Sequence, residues 1–288
     1  MKVLVLGGGG QVARAVSAAV PAQHHVEVRT RAELDIADED AVVRAAEQTG
    51  AQWMVNAAAY TAVDLAEDHP SEARAANDTA VGALANAACR AGCRLLHLST
   101  DFVFDGRSNR AYRPADAANP INMYGVTKLA GERRALSNAV GGIVLRTSWV
   151  YASSGRNFVL TMLRLMREKS AVDVVCDQIG APTWAGGLAE AIWGLMDVAA
   201  PSGVYHWTDL GVASWYDFAV AIQEEALTRG LLARAAAIIP IASTTYPTRA
   251  SRPPFSVLDS AATRALLTVQ ARHWRHNLRT MLDGIRTS

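Results

Sequence analysis

The sequence predicts an α/β protein: a doubly wound parallel sheet followed by a smaller C-terminal domain. Short β-rich runs alternate with longer alanine-rich amphipathic stretches as far as about residue 150. The β-rich runs are continuously apolar, as strands covered on both faces must be. A glycine cluster, Gly7-Gly8-Gly9-Gly10, falls between the first such run and the first amphipathic stretch, where an open α/β sheet places its ligand-binding turn.

In chain order, residues 3–6 are a strand of Val and Leu, and 11–20 an Ala- and Val-rich helix. Residues 25–29 return as a strand, 39–49 as a helix and 53–57 as the third strand. A long alanine-rich helix is expected over 70–91, a strand over 95–99, a helix over 124–136 and a strand over 142–146. The alternation then weakens. Helices are expected near 157–168, 187–198 and 215–229, with a proline-rich passage at 246–255. Residues 1–150 therefore read as one domain and 151–288 as a second, smaller one with segments returning to the first.

With 288 residues, 50% of them hydrophobic and 19% charged, the chain can bury a substantial core. Its 28 basic and 27 acidic residues leave a formal charge of +1. Nothing draws the whole molecule to nucleic acid or an anionic membrane, so an anionic ligand must be held locally. The opening apolar run is too short for a signal peptide, and the most apolar later stretch, 187–200, carries Glu190 and Asp197. These features predict a cytoplasmic protein with no membrane partner. Cys89, Cys93 and Cys176 lack the spacing of a disulfide framework or a zinc site, and His273 and His276 have no further ligand beside them. The thiols read as reduced and structural, and no metal site is predicted.

The chemistry centres on Tyr124 and Lys128, four residues apart in Met-Tyr-Gly-Val-Thr-Lys, downstream of Ser99-Thr100-Asp101 at the end of the fourth apolar run. On a helix, i and i+4 share a face about 6 Å apart. An ammonium near a phenol favours the phenolate and lowers a pKa that starts near about 10, making the tyrosine a general acid at neutral pH. The pattern predicts an oxidoreductase. The glycines let backbone approach a pyrophosphate at the N-terminus of the first helix, which predicts dinucleotide binding. At the end of the second strand stand Arg29, Thr30 and Arg31, with no acidic residue to hold a ribose diol. That tilts the expected cofactor toward NADPH and leaves NADH open. Asp35-Ile36 and the small residues Ala57 to Ala59 follow the second and third strands, where a cofactor would need space.

Several strings together resemble the dTDP-4-dehydrorhamnose reductase family of extended short-chain dehydrogenases. They are Gly7-x-x-Gly10-Gln-Val, Asn56-Ala-Ala-Ala-Tyr-Thr-Ala-Val-Asp64, Ser99-Thr-Asp-Phe-Val-Phe-Asp-Gly106, Tyr124-Gly-Val-Thr-Lys-Leu-Ala-Gly-Glu132, Arg146-Thr-Ser-Trp-Val-Tyr151, Asp177-Gln-Ile-Gly-Ala-Pro-Thr183 and Tyr246-Pro-Thr. The likeness runs nearly end to end. It implies a Rossmann-type sheet and reduction of the 4-keto group of dTDP-4-dehydro-β-L-rhamnose, the last step of dTDP-L-rhamnose synthesis. By motif match, Tyr124 would protonate the C4 oxygen, Lys128 would hold the nicotinamide ribose, and Thr100 would hydrogen-bond the carbonyl or the phenol. Asp101 and Trp149 would contact the sugar. Gly7, Gly10, Gln11, Val12, Arg29, Asp35, Ile36, Ala59, Tyr60 and Thr61 would line the cofactor, with Tyr124 and Lys128. Asn157, Phe158, Gln178 and Arg252 would reach the nucleotide end of the substrate. Where part of this family holds magnesium with glutamates at a dimer contact, the aligned positions are Ala15, Gly186 and Gly284, which carry no side-chain oxygen. No magnesium-linked dimer is expected.

Dehydratases of the same fold place a carboxylate pair after the threonine, because eliminating water takes an acid and a base. Phe102 occupies that place here and favours simple carbonyl reduction. Two further readings stay open: a reductase of another dTDP-4-keto-6-deoxy sugar, and a non-catalytic regulatory subunit of the same fold.

Overall fold

The computed structural model describes residues 1–137 and 141–285. The first half runs β1 (Lys2–Leu6), α1 (Gln11–Ala18), β2 (His25–Arg29), α2 (Glu39–Thr49), β3 (Trp53–Asn56), α3 (Val63–Asp68), α4 (Pro70–Arg74), α5 (Ala80–Arg90), β4 (Arg94–Thr100), α6 (Met123–Leu136) and β5 (Ile143–Thr147). The second half adds β6 (Val150–Tyr151), α7 (Phe158–Glu168), β7 (Ala171–Val175), β8 (Ile179–Gly180), β9 (Thr183–Trp184), α8 (Ala185–Asp197), β10 (Gly203–His206), β11 (Ala213–Ser214), α9 (Trp215–Thr228), β12 (Ala237–Ile241), α10 (Ala261–Leu266) and α11 (Trp274–Ile285).

The expected doubly wound sheet is present, with strands in the order β10-β5-β4-β3-β1-β2 and every pairing parallel. The chain winds one way from β1 to β2 and the other way from β3 outward. The reversal opens a crevice beyond the carboxyl ends of β1 and β3, the position where open sheets bind ligands.

Strand periodicity sorts the core into two layers. Val3 and Val5 of β1 face α1 and α8, packing with Val16, Leu188, Ile192 and Trp193. Leu4 and Leu6 face the other way, onto Val42 of α2 and Val81 and Leu84 of α5. Val3 to Leu6 are all buried, which is why the run reads as continuously apolar. The apolar segment around 187–198 thus covers the first sheet as α8, and β10 extends that sheet beside β5. A third core joins α7, α9 and α11 around Phe218, Ile222 and Leu278. No described helix is long and apolar enough to cross a membrane.

The helix expected over 70–91 is interrupted. Residues Ala75–Thr79 form a π-helical turn between α4 and α5, as such turns often do at functional sites. Hydrophobic periodicity does not register one wide turn. Tertiary contact does: a Cβ at Gly131 of α6 would lie 2.0 Å from the Asn77 carbonyl oxygen, so the two helices meet backbone to backbone at the bulge.

Candidate active site

Two loops are pressed together in the crevice. Gly7 takes φ +90°, and a Cβ there would lie 2.6 Å from the Ala58 nitrogen; only glycine fits both conditions. Gly10 caps α1 with extended backbone and no side-chain cap, leaving first-turn N–H groups directed at the crevice. The second loop is held by amides. Asn56 Oδ1 accepts from Ala58 N at 3.0 Å. Asn77, on the π turn, accepts from Tyr60 N at 2.9 Å and donates to Tyr60 O at 3.1 Å and Thr127 Oγ1 at 3.1 Å.

Between the loops lies a cavity of about 470 Å³, lined by Gly7, Asp35, Ile36, Ala59 and Tyr60 among the expected cofactor residues. Arg31, Leu34, Ala37, Ala58, Glu72, Ala75, Ala76 and Ala80 complete its walls, so a mainly small, apolar lining able to take a flat heterocycle carries Arg31, Asp35 and Glu72 as its charged groups. Gln11 and Val12 begin α1 beside it; Gln11 Nε2 donates to Arg156 O at 3.3 Å, and Val12 packs into the core. Thr61 is exposed just past Tyr60. Arg29 forms an ion pair with Glu27 on its own strand, whereas Arg31 faces the cavity. Of the two, Arg31 lines the cavity, and sequence position alone could not rank them. The lining residues fit a dinucleotide.

Thr100, Asp101, Tyr124 and Lys128 are brought together at the end of β4. Asn122 caps α6, accepting from Gly125 N at 2.7 Å and donating to Ser251 O at 2.8 Å, which fixes the turn carrying Tyr124. The Tyr124 ring stands edge-on to Phe102, with centroids 5.8 Å apart, and its phenol lies near enough to the Thr100 side chain for that hydroxyl to oppose the rise of its pKa. Thr100 Oγ1 also donates to Asp101 Oδ1 at 3.0 Å. Asp101 Oδ2 is buried without a hydrogen-bond partner, with Ser256 close by, and burial pushes this carboxyl up to about 6. A polar atom left unsatisfied next to Thr100 and Tyr124 is the kind of group a ligand completes.

The expected lowering of the Tyr124 pKa is not found. Burial pushes the phenol up to about 12, the Thr100 hydroxyl works against this, and the Asp101 charge adds to it. Lys128 Nζ turns instead to β4, donating to Leu98 O at 2.6 Å and lying 3.3 Å from His97 Nε2. Burial pushes its ammonium down to about 8, opposed by Glu132. Desolvation outweighs the neighbouring charges for both groups.

Trp149 has φ +48° and stacks on Trp215 of α9, centroids 3.5 Å apart and planes at 4°. Gly180 backs it: a Cβ there would lie 2.5 Å from the indole. A non-glycine residue in left-handed backbone is held by its surroundings; here a second indole and a bare backbone do the holding. Three of the remaining expected substrate residues, Asn157, Phe158 and Arg252, are engaged internally. Asn157 caps α7 and donates to Gln11 Oε1 at 2.9 Å. Phe158 packs on Trp215 at 4.6 Å. Arg252 is bidentate to Asp64 at 2.7 and 3.1 Å, and Gln178 is half-buried.

Sequence reasoning did not single out the support behind this site. Ser99 Oγ donates to Glu132 Oε1 at 2.5 Å, and Arg146 donates to both Glu132 oxygens at 2.8 and 2.7 Å, a buried bidentate pair tying α6 to β4 and β5. The available signal was charged residues inside otherwise apolar runs. Among the described residues, no group of three or more His, Cys, Asp or Glu side chains could hold a metal ion.

Residues 1–287 match the model of the RmlD substrate binding domain family. A dTDP-4-dehydrorhamnose reductase of Aggregatibacter actinomycetemcomitans is 37% identical over 287 residues, 97% of this chain and 98% of that protein. The crystal structure of a dTDP-4-dehydrorhamnose reductase from Clostridium acetobutylicum superposes with a TM-score of 0.92 at 32% identity, covering 99% of this chain and 100% of that one. A Bacillus anthracis dTDP-4-dehydrorhamnose reductase in complex with NADP gives 0.92 at 29% identity, with 98% and 99% covered.

Proposed function

Because this chain belongs to the RmlD substrate binding domain family, we propose that it is an NADPH-dependent oxidoreductase that reduces the 4-keto group of dTDP-4-dehydro-β-L-rhamnose to give dTDP-L-rhamnose. Support comes from the near full-length likeness to dTDP-4-dehydrorhamnose reductases, one of them solved with NADP. The observation that carries the reading is the convergence of Thr100, Tyr124 and Lys128 at the end of β4, next to a dinucleotide-sized crevice.

Bound NADPH supplies the hydride. Tyr124, protonated throughout the neutral range, gives its proton to the C4 oxygen as negative charge develops there. Thr100 holds the phenol and aligns the carbonyl, and Asp101 with Trp149 receives the sugar. Lys128 would leave its Leu98 contact to hold the nicotinamide ribose when the cofactor binds. Gly7, Gly10, Gln11, Val12, Asp35, Ile36, Ala59, Tyr60 and Thr61 form the cofactor side, with Arg31 ahead of Arg29 at the adenosine end. Residues 1–150 serve the dinucleotide and 151–288 the sugar nucleotide, with α8 and β10 completing the first sheet. The reaction belongs to the cytoplasm, and the +1 formal charge and the oxygen-free Ala15, Gly186 and Gly284 support neither a nucleic-acid partner nor a magnesium-linked dimer.

Purified protein mixed with NADPH and dTDP-4-dehydrorhamnose should consume the reduced-nicotinamide absorbance, and product NMR should show dTDP-L-rhamnose. Tyr124→Phe should slow turnover by roughly 10²–10⁴-fold while cofactor binding survives. Cofactor binding without turnover of any dTDP-ketosugar would favour a regulatory subunit, and a C4-epimeric product would favour a reductase of a different sugar.

A further inference from the structure

Behind Lys128 lies a fully buried chain of polar groups that the reductase reading does not use. Asn56 of β3, His97 of β4 and Lys128 of α6 all lie in the core. Asn56 Nδ2 is 3.0 Å from His97 Nδ1, and His97 Nε2 is 3.3 Å from Lys128 Nζ.

Hydrogen counting fixes the direction of this chain. Ala58 N–H can only donate, so the Asn56 atom it meets at 3.0 Å is the amide oxygen and the Asn56 NH₂ faces His97. His97 Nδ1 must then be the unprotonated nitrogen. A neutral imidazole therefore carries its hydrogen on Nε2, pointing at Lys128. An ammonium there would set donor against donor. A neutral amine has no such conflict, because it accepts from Nε2–H with its lone pair and still donates to Leu98 O, 2.6 Å away. An imidazolium would face donors on both sides.

We propose that His97 is a positioning residue that holds Lys128 as a neutral amine in the ligand-free protein, through an imidazole tautomer locked by Asn56. The other groups facing Lys128 are consistent with this. The Leu98 carbonyl on β4 accepts from either form; Tyr124, on its own helix, is uncharged; and Asp101, on the turn after β4, is hydrogen-bonded to Thr100. Glu132 favours the cation, yet both its oxygens are taken up by Ser99 and Arg146. Burial lowers the Lys128 pKa to about 8, which alone would leave a cation at neutral pH, so the Nε2–H donor facing it must supply the further lowering; burial drives the pKa of His97 well below its usual value. A neutral amine does not draw the proton from Tyr124, so the general acid stays loaded until ligands arrive. This deepens the reductase reading and rests on it for the role of Lys128.

The chain's only lysines are Lys2, Lys128 and Lys169, the other two exposed, so ε-¹³C-lysine NMR of the ligand-free protein can follow Lys128 alone. At pH 7 its signal should be that of a neutral amine rather than an ammonium, and long-range ¹⁵N–¹H spectra should show His97 as the Nε2–H tautomer. An Nδ1–H tautomer, an imidazolium, or a Lys128 signal still that of an ammonium at pH 7 overturns the proposal. Asn56→Asp offers acceptors to both Ala58 N–H and Nδ1–H, so it should invert the tautomer and raise the Lys128 pKa by about one unit or more. If the same rise persists undiminished in Asn56→Asp with His97→Leu, the new charge acts without the ring and the proposal fails. The wild-type spectra keep the test intact should either variant not fold. None of these readouts needs turnover, so they stand apart from any failure of the reductase assignment.

Discussion

Gly125 of α6 lies against the Phe102 carbonyl so closely that a Cβ at position 125 would sit 2.1 Å from that oxygen. This contact sets how deeply the start of α6 seats beside the Asp101–Val103 turn, and hence where Tyr124 meets Thr100. Gly125→Ala must push the two backbones apart. Turnover should fall by about 10²-fold, the usual consequence of misplacing a reacting group by an ångström, while NADPH binding, followed by fluorescence, changes little. Unchanged kcat would mean that the turn yields without moving Tyr124.

Arg31 lines the cavity, whereas Arg29 is paired with Glu27. Loss of a charge-assisted contact costs about 1.5–3 kcal/mol, so Arg31→Ala should raise the KM for NADPH by roughly 10- to 100-fold and leave that for NADH nearly unchanged. Arg29→Ala should have the smaller effect. Steady-state kinetics with both cofactors separates the two residues, and the reverse ranking would return the role to Arg29.

Glu132 and Arg146 form a buried bidentate pair, both nearly inaccessible. Arg146→Met leaves the Glu132 carboxylate without its cation, and a broken buried pair costs about 3–5 kcal/mol. Urea denaturation should show this as a lowered midpoint. A variant losing under about 1 kcal/mol would show that water or relaxation replaces the arginine.

Asp209 is buried beside Asn277 and Trp184, accepting from Trp184 N at 3.0 Å, and burial, with Glu190 adding to it, raises its pKa to about 7. Asp101 is raised to about 6. Both acids bind protons more tightly folded than unfolded, so their contribution is fully present below the ordinary carboxyl range and is lost as pH rises through about 6 to 7. Buried His97 and His206, whose pKa values are lowered by burial, add stability with rising pH up to about 6.5, so the carboxyls' decline from pH 5 to pH 8 is read as the melting temperature of wild type relative to Asp209→Asn. Asp209→Asn removes the buried charge and should flatten that decline, stabilising the protein above pH 8 by on the order of 3 kcal/mol. A decline as steep as wild type in that variant would place its origin elsewhere.

Much of the frame was legible in the sequence because strands buried on both faces leave a signal that needs no partner to be seen: Val3 to Leu6 are apolar whichever layer each one meets. The Tyr124 and Lys128 pair was legible for a similar reason, since helical spacing alone puts both on one face. The interrupted helix at 75–79 was not, because a π turn changes backbone pitch without changing composition. Asn77, Gly125 and Gly131 were also missed as site residues. Their importance lies in which backbone stands opposite, and that comes from other strands and helices.

The sequence by itself determined the alternation of strands and helices, the glycine turn after β1 and the residue types that can move a proton, all local properties of spacing and side-chain chemistry. Only the tertiary structure decided which arginine faces the cavity, that α8 and β10 complete the first sheet, and that Lys128 turns toward His97 and Leu98. Ionisation and contact depend on what surrounds a group in three dimensions. Burial moved the Tyr124 phenol up to about 12 and the Lys128 ammonium down to about 8, overriding what their spacing along one helix suggested.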